Sequence, residues 1–155
     1  PEYFDISNIV AKVISLMKPT AEQKFIDIGN RVLANTQVYA DKEMISTVLR
    51  NLLSNAIKFT GNRGRITISS AIIKNELTVT IVDNGVGISK ERIDKLFTID
   101  KNNSTLGTQK EKGTGLGLIL CKEFIDKNNG KIWVESNAGT GSSFNFSLQM
   151  ENKNI

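Results

Sequence analysis

Alternation of apolar and polar residues predicts a series of short β-strands along the chain. The clearest alternation spans residues 77–82, where apolar and β-branched positions succeed each other with a period of two. Residues 65–73 precede it, and we predict that the two segments form an antiparallel hairpin with its turn near Lys74 and Asn75. Shorter stretches of the same kind predict further strands at residues 3–6, 24–28, 38–40, 131–135 and 142–148.

Apolar residues at helical spacing predict one long, well-defined helix. It begins after Asp41, a favourable N-cap residue, and runs to about Thr60. Its apolar residues form one broad arc on a helical wheel, composed of Ile45, Val48, Leu49, Leu52, Leu53, Ala56 and Ile57. Other helices are predicted at residues 7–17, capped by Ser7 and ended by Pro19, at residues 89–97, capped by Ser89, and at residues 116–126.

Length and composition indicate one globular domain. The 155 residues are 39% hydrophobic and 23% charged, which is ordinary for such a domain. We assign residues 1–150 to it and expect residues 151–155 to form a frayed tail. The net charge of +4 is modest and weakly favours anionic ligands; because the lysines are scattered, it does not argue for DNA, and we expect no nucleic-acid partner. Because the first residue is Pro1, we expect a piece of a longer protein.

The chain contains no histidine and a single cysteine, Cys121. The lack of histidine excludes Ser-His and Cys-His catalytic pairs and His-based zinc sites within this chain. One cysteine cannot form an internal disulfide. Cys121 lies on the apolar side of the predicted helix at residues 116–126, which indicates core packing.

Two glycine clusters frame a polar loop at residues 98–112. The first cluster, residues 83–88, reads Asp-Asn-Gly-Val-Gly-Ile and follows a predicted strand. The second, residues 113–118, reads Gly-Thr-Gly-Leu-Gly-Leu and opens a predicted helix. Glycines let a ligand approach the backbone, and a helix start offers unpaired N–H groups to phosphate. The pattern predicts a nucleotide pocket.

A polar row accompanies the apolar arc of the long helix. Asn51, Asn55 and Lys58 are spaced at i, i+4 and i+7 and therefore share one side of the helix. A solvated face would explain such a row by itself. Beside the glycine clusters, a ligand-facing row is the better interpretation, since an asparagine oxygen suits Mg²⁺ and a lysine suits phosphate.

Familiar phosphate motifs are absent, because no stretch matches a Walker loop, a Rossmann fingerprint or the classical kinase signatures. Four blocks, at residues 51–60, 83–88, 96–97 and 113–118, instead resemble in order and spacing the catalytic ATP-binding domain of sensor histidine kinases. That family belongs to the superfamily of gyrase, Hsp90 and MutL. The resemblance covers about residues 2–149. It implies an α/β two-layer sandwich of the Bergerat type, with a mixed, mostly antiparallel sheet covered on one face by about three helices, and a mobile ATP lid at residues 98–112.

The resemblance also implies roles for individual residues around ATP and Mg²⁺. Asn55 would be the metal ligand, Asn51 a neighbouring contact to the ion or the phosphates, and Lys58 a phosphate contact. Asp83 would accept a hydrogen bond from the adenine amino group. Gly85 and Gly87 would leave room for the base, and Ser142 would help to position the adenine site. The backbone N–H groups that surround the phosphates would come from Gly113, Thr114, Gly115, Leu116, Gly117 and Leu118.

Asn51 also bears on the reaction. Relatives of the gyrase and Hsp90 type carry a glutamate four residues before the metal-binding asparagine, and an amide at that position cannot act as a general base. The resemblance thus implies a kinase that donates the γ-phosphoryl of ATP to a histidine on an upstream dimerisation hairpin. The isolated chain would not autophosphorylate. A non-catalytic nucleotide-sensing or docking module is the alternative, and a nucleic-acid-dependent ATPase is a third reading that Asn51 opposes.

The same resemblance implies the partners. They are the upstream dimerisation and phosphoacceptor domain and the receiver domain of a response regulator. The isolated domain would be a monomer and its parent a homodimer. The domain would lie in the cytoplasm, whether or not the parent is anchored in a membrane.

Overall fold

Seven strands and four helices form the part of the chain that the computed structural model describes, which is residues 1–97, 117–137 and 139–152. In chain order they are β1 (Glu2–Asp5), α1 (Ile6–Gln23), β2 (Asp27–Arg31), β3 (Gln37–Ala40), α2 (Lys42–Phe59), β4 (Arg65–Ile73), β5 (Glu76–Asp83), α3 (Lys90–Ile93), α4 (Gly117–Lys127), β6 (Ile132–Asn137) and β7 (Gly141–Gln149).

Five of the strands form one mixed sheet in the order β2-β4-β5-β7-β6. Only the pairing of β2 with β4 is parallel; β4 with β5, β5 with β7 and β7 with β6 are antiparallel. β1 and β3 form a separate antiparallel pair. The predicted hairpin is confirmed, and its turn residues Lys74 and Asn75 both have positive φ, at 51° and 65°. The mostly antiparallel mixed sheet is confirmed as well.

The core lies between this sheet and a layer of helices. Alternate residues of the strands are buried, among them Ile66, Ile68, Val79, Ile81 and Phe146. All seven residues of the apolar arc of α2 are buried too, and α2 packs against both α1 and α4. The predicted two-layer sandwich is therefore confirmed. None of the helices in the described residues has the length and apolarity needed to cross a membrane.

Asp5, and not Ser7, caps the N-terminus of α1. The Asp5 carboxylate accepts hydrogen bonds from the backbone N–H of Ser7 at 2.9 Å and from its hydroxyl at 2.7 Å. The hydroxyl bond is the main reason why the pKa of Asp5 is lowered. The predicted cap at Ser7 is wrong because the carboxylate of Asp5, two residues earlier, already accepts a hydrogen bond from a free N–H group of the first turn, that of Ser7.

Pro19 does not end α1, contrary to the prediction. The helix continues to Gln23 although proline lacks the N–H that a helix interior uses. Burial of Ala21 stabilises this last turn, and the Ala21 carbonyl accepts hydrogen bonds from the N–H groups of Lys24 and Ile26, which close the helix end. Local propensity was overridden by packing.

Two other boundaries differ from the prediction. β2 begins at Asp27 because Phe25 has a φ of 54°, which is incompatible with an extended strand through residue 25. α3 ends at Ile93, and the chain reaches Phe97 through turns. Ser89 occupies the N-cap position of α3, but its side chain makes no capping hydrogen bond.

Lys24 joins the end of α1 to the end of α2. Its side chain is almost fully buried, and Nζ donates hydrogen bonds to the carbonyl oxygens of Ile57 at 2.8 Å and Lys58 at 3.2 Å. Carbonyls in the last turn of a helix have no partner within the helix and lie at the negative end of its dipole. The buried ammonium group of Lys24 donates hydrogen bonds to these carbonyls and places a positive charge at the negative end of the dipole. It thereby fixes the turn that carries Lys58.

We expect Lys24→Met to lower the free energy of unfolding by about 1.5–3 kcal/mol, because hydrogen bonds to a charged donor are lost and buried carbonyls remain. Urea denaturation followed by circular dichroism would measure the change. Lys12→Met is the matched control, since Lys12 is exposed on α1 and its replacement should change stability little. Equal effects of the two substitutions would contradict the capping role.

Candidate functional site

Asp83 ends β5 and is the most constrained polar group of the site. Only 4% of the residue is exposed. Its Oδ1 accepts hydrogen bonds from the backbone N–H of Gly85 at 2.9 Å and of Ser142 at 3.3 Å, and its Oδ2 accepts one from the Ser142 hydroxyl at 2.7 Å. A carboxylate offers about four lone-pair positions, so capacity for a further donor remains.

The pairing of β5 with β7 brings these two residues together. Asp83 lies opposite Ser142 in the ladder, at the first residues of β7. Gly141 precedes Ser142 with a φ of +96°, and a Cβ added there would collide with the backbone carbonyl of Asp83. A residue with a side chain would therefore push β7 away from the carboxylate.

The segment after Asp83 passes against the end of α2. A Cβ added at Gly85 would collide with the carbonyl oxygen of Phe59, and the same oxygen accepts a hydrogen bond from the N–H of Val86 at 3.2 Å. Gly87 has a φ of +74°, which favours glycine. The first glycine cluster thus forms a closely packed backbone cradle between α2 and β7.

The polar row of α2 has the placement expected of it. Asn51, Asn55 and Lys58 are each half-buried along one side of the helix, next to the buried arc. The Lys58 ammonium lies 4.9 Å from the centre of the Phe59 ring. Gly117, the first residue of α4, faces Asn51, because its Cβ position would lie 3.7 Å from Asn51 Cγ.

The second glycine cluster falls largely outside the described residues. Gly113, Thr114, Gly115 and Leu116 lie outside the described residues, as does the segment at residues 98–112, for which the family resemblance implies a lid. Gly117 opens α4, and Leu118 packs against the core. The described start of α4 therefore lies next to the asparagine row of α2.

Cys121 is buried where α4 packs on α2, which confirms its predicted place in the core. Burial raises the pKa of its thiol to about 12, and a hydrogen bond with the Asn51 side chain opposes this shift. The thiol donates to the carbonyl of Val48 at 3.8 Å. Cys121 therefore remains protonated and packs as a small apolar residue beside Asn51.

Alkylation of Cys121 should be at least about 100-fold slower in the folded chain than in the chain unfolded by guanidinium, at pH 8, because only the thiolate reacts and a buried sulfur is inaccessible. Mass spectrometry after timed exposure to iodoacetamide would measure both rates on the single cysteine. Similar rates in the two states would show that the thiol is accessible.

The donor set indicates which ligands fit. No three His, Cys, Asp or Glu side chains cluster as a metal site in the described ranges. Among the described residues, Asn51 and Asn55 offer amide oxygens, a type of donor that suits Mg²⁺ bound together with phosphates. The buried carboxylate and glycine cradle suit a flat ring that carries an N–H donor.

Sequence reasoning missed two residues that hold this site in place. Lys24 fixes the last turn of α2, and its carbonyl partners lie 33 and 34 residues away in the chain. The hydroxyl oxygen of Ser136 on β6 accepts a hydrogen bond from the backbone N–H of Ile88, which lies 48 residues earlier in the chain. No local pattern marks either residue, since both act through long-range contacts with backbone atoms.

The fold is a two-layer α/β sandwich with a buried carboxylate and a glycine cradle at one end of strands β5 and β7, and comparison with known proteins identifies its family. The family model described as "Histidine kinase-, DNA gyrase B-, and HSP90-like ATPase" matches residues 40–152. The chain belongs to that family. It resembles the histidine kinase members, which confirms the family resemblance of the four sequence blocks.

Individual relatives show the same likeness. The chain is 32% identical over 149 residues to sensor histidine kinase WalK of Bacillus subtilis, covering 95% of this chain and 24% of WalK. The catalytic domain of histidine kinase ThkA has a TM-score of 0.82 and 32% identity, covering 96% of this chain and 94% of that one. ThkA in complex with response regulator protein TrrA has a TM-score of 0.79 and 29% identity, covering 96% of this chain and 41% of that one. The chain spans about a quarter of the length of the curated relatives it matches.

Proposed function

We propose that this chain is the Mg-ATP-binding catalytic domain of a sensor histidine kinase, and that it donates the γ-phosphoryl group to a histidine outside the chain. The observation that carries the proposal is the buried Asp83 carboxylate, held by Ser142 and Gly85 at the edge of a backbone cradle. The chain contains no histidine, so an acceptor imidazole has to be supplied by another segment or subunit.

Adenine recognition would depend on Asp83. Hydrogen bonds from Ser142 and Gly85 fix both carboxylate oxygens in the free protein. The Asp83 side chain therefore loses little further conformational entropy when a base binds. The exocyclic amino group of adenine would donate to the remaining lone pair. Gly85 and Gly87 would let the base lie against backbone where a side chain would obstruct it.

Phosphate binding would depend on α2 and on the start of α4. Asn55 would supply an oxygen ligand to Mg²⁺, Asn51 would contact the ion or the phosphates, and Lys58 would supply positive charge. The backbone N–H groups from Gly113 to Leu118 would complete the phosphate site. Mg²⁺ bound there would neutralise part of the charge on the transferred phosphoryl group.

Transfer to an outside acceptor is favoured over hydrolysis because an amide, Asn51, stands four residues before Asn55. By the family resemblance, Asn51 occupies the position of the glutamate that activates water in gyrase-type relatives. An amide cannot take a proton from water at neutral pH. The role of the described residues would then be to bind, orient and neutralise charge.

The proposed partners follow from the reaction. An upstream dimerisation domain would present the acceptor histidine, and the parent would be a homodimer while this domain is a monomer by itself. A receiver domain would take the phosphoryl group afterwards, which the complex of ThkA with TrrA supports. Use of ATP would place the domain on the cytoplasmic side of any membrane.

Incubation with radiolabelled ATP and magnesium tests the proposal. The chain alone should acquire no stable label. Joined to the helical segment that precedes it in its natural protein, it should acquire an acid-labile, base-stable label on histidine. Replacement of that histidine by glutamine, or Asn55→Ala in this chain, should abolish labelling.

The alternatives give different results in the same experiment. ATP binding by calorimetry without any transfer to the joined segment would support a nucleotide-sensing or docking module. Sustained release of phosphate by the chain alone would indicate a hydrolase. If the chain does not bind ATP at all, the proposed function is wrong, because every step of it requires bound ATP.

A further inference from the structure

Ser136, near the end of β6, bridges two segments of the site with one hydroxyl group. Its Oγ accepts a hydrogen bond from the backbone N–H of Ile88 at 2.7 Å and donates one to the backbone carbonyl of Gly141 at 2.9 Å. The side chain is half-buried. Ser136 also lies opposite Ser142 in the ladder between β6 and β7.

The two bridged segments are the two sides of the proposed adenine site: the first glycine cluster on one side and the start of β7 on the other. Ile88 ends the first glycine cluster, and Gly141 immediately precedes the serine that bonds Asp83. A second bond between these sides runs from the N–H of Gly139 to the carbonyl of Val86, at 2.6 Å. On its other flank, the same cluster is held by the carbonyl of Phe59.

A hydroxyl group is the right chemistry for this bridge, because it accepts and donates at the same time. Alanine at this position would leave the N–H of Ile88 and the carbonyl of Gly141 without their partner in a half-buried place. Gly87 precedes Ile88 with a φ of +74° and adds flexibility to the segment. The cluster therefore depends on outside contacts to keep one conformation.

We propose that Ser136 is a positioning residue for base recognition. Its hydroxyl fixes the backbone of Gly87 and Ile88 relative to Ser142, so that the cradle is formed before a nucleotide binds and Asp83 keeps its direction. This inference rests on the proposed function, since it assumes that the cradle holds adenine. Ser136 acts through the backbone atoms of Ile88 and Gly141.

Calorimetry on the 155-residue chain with ATP and with inorganic tripolyphosphate, both with magnesium, tests the role. Ser136→Ala should weaken ATP binding by about 2- to 12-fold, the range for one net neutral hydrogen bond, and leave tripolyphosphate binding unchanged within about twofold. Ser136→Thr keeps the hydroxyl and should restore ATP affinity. Ser143→Ala is the matched control, because the Ser143 hydroxyl is on the same hairpin but bonds Asn145.

Amide hydrogen exchange gives a readout that needs no ligand. The N–H of Ile88 should exchange more slowly than the exposed amides of the same segment in the unsubstituted chain, and the protection should fall in Ser136→Ala and return in Ser136→Thr. Should Ser136→Ala fail to fold, Ser136→Cys replaces it, since a thiol of similar size makes weaker bonds and should give an intermediate loss of ATP affinity.

The outcomes separate the two proposals. Unchanged ATP affinity in Ser136→Ala, or an equal loss of ATP and tripolyphosphate affinity, would overturn the positioning role while the proposed function stands. If the unsubstituted chain binds tripolyphosphate but not ATP, the proposed function fails and this inference fails with it, even where Ile88 remains protected.

Discussion

Replacement of Asp83 by asparagine should weaken ATP binding by roughly 10- to 150-fold, which corresponds to ~1.5–3 kcal/mol for the loss of a hydrogen bond to a charged group. The substitution keeps the size and shape of the side chain. It removes the charge and turns one oxygen into an NH₂ group, which repels the adenine amino donor or the Ser142 hydroxyl donor. Calorimetric titration with Mg-ATP would measure the change.

A nucleotide without the exocyclic amino group makes this prediction specific. Purine riboside triphosphate should bind the unsubstituted chain and Asp83→Asn with similar affinity, because it lacks the group that Asp83 would recognise. Asp27→Asn is the matched control, since Asp27 is exposed and the chemical change is the same. A comparable loss for both nucleotides would show that Asp83 only organises the turn through Gly85 and Ser142.

The stability of Asp83→Asn separates these cases further. Because Asp83 is almost fully buried and bonds Ser142, some loss of stability is expected with the loss of affinity. Thermal melts without nucleotide report on the fold alone. If the melting temperature falls and ATP affinity does not, the recognition role is contradicted.

The fold was predictable wherever neighbours in sequence determine the structure. The hairpin of β4 and β5 and the helix capped by Asp41 follow from periodicity and turn residues, and the structure has both. Pro19 and Ser7 show the limit of such reasoning. A local breaker was outweighed by the burial of Ala21, and a good cap residue was preceded by a better-placed carboxylate at Asp5.

The site was predictable as a set of motifs but not as a set of contacts. Sequence spacing placed Asn51, Asn55 and Lys58 on one side of α2, which the structure confirms. Asp83 and Ser142 are 59 residues apart in the chain and meet only because their strands pair. Ser136 forms hydrogen bonds with backbone atoms, which any residue type could offer. Such contacts leave no periodic pattern because they are made only in the folded chain.

Four glycines allow the close packing of the cradle to be tested as a matched set. Gly61 has neither a positive φ nor any neighbour within 4 Å of an added Cβ, and Gly139 has a φ of +85° with no such neighbour. Gly85 has no positive φ, but a Cβ added there would collide with the carbonyl of Phe59. Gly141 combines a φ of +96° with the carbonyl of Asp83. Alanine at each position therefore separates backbone strain from steric collision.

We expect Gly61→Ala to be neutral or to stabilise by up to about 1 kcal/mol, through lower entropy of the unfolded chain. Gly139→Ala should cost about 1–2 kcal/mol for the left-handed backbone. Gly85→Ala should cost about 1–3 kcal/mol for overpacking. Gly141→Ala combines strain and overpacking and should lower the free energy of unfolding by the sum of the two, about 2–5 kcal/mol, the largest effect of the set.

ATP affinity should separate the same variants in a different order, because alanine at Gly139 has no neighbour to displace, while collisions at Gly85 and Gly141 displace the cradle itself. Both collision variants should lose at least about tenfold in affinity, since a displaced cradle misaligns the base and its carboxylate partner. Gly61→Ala should bind like the unsubstituted chain. Denaturation curves and calorimetry on all four variants would measure both quantities. If Gly141→Ala is no less stable than Gly139→Ala and binds ATP equally well, then β7 does not approach Asp83 as closely as recognition of adenine by this carboxylate requires.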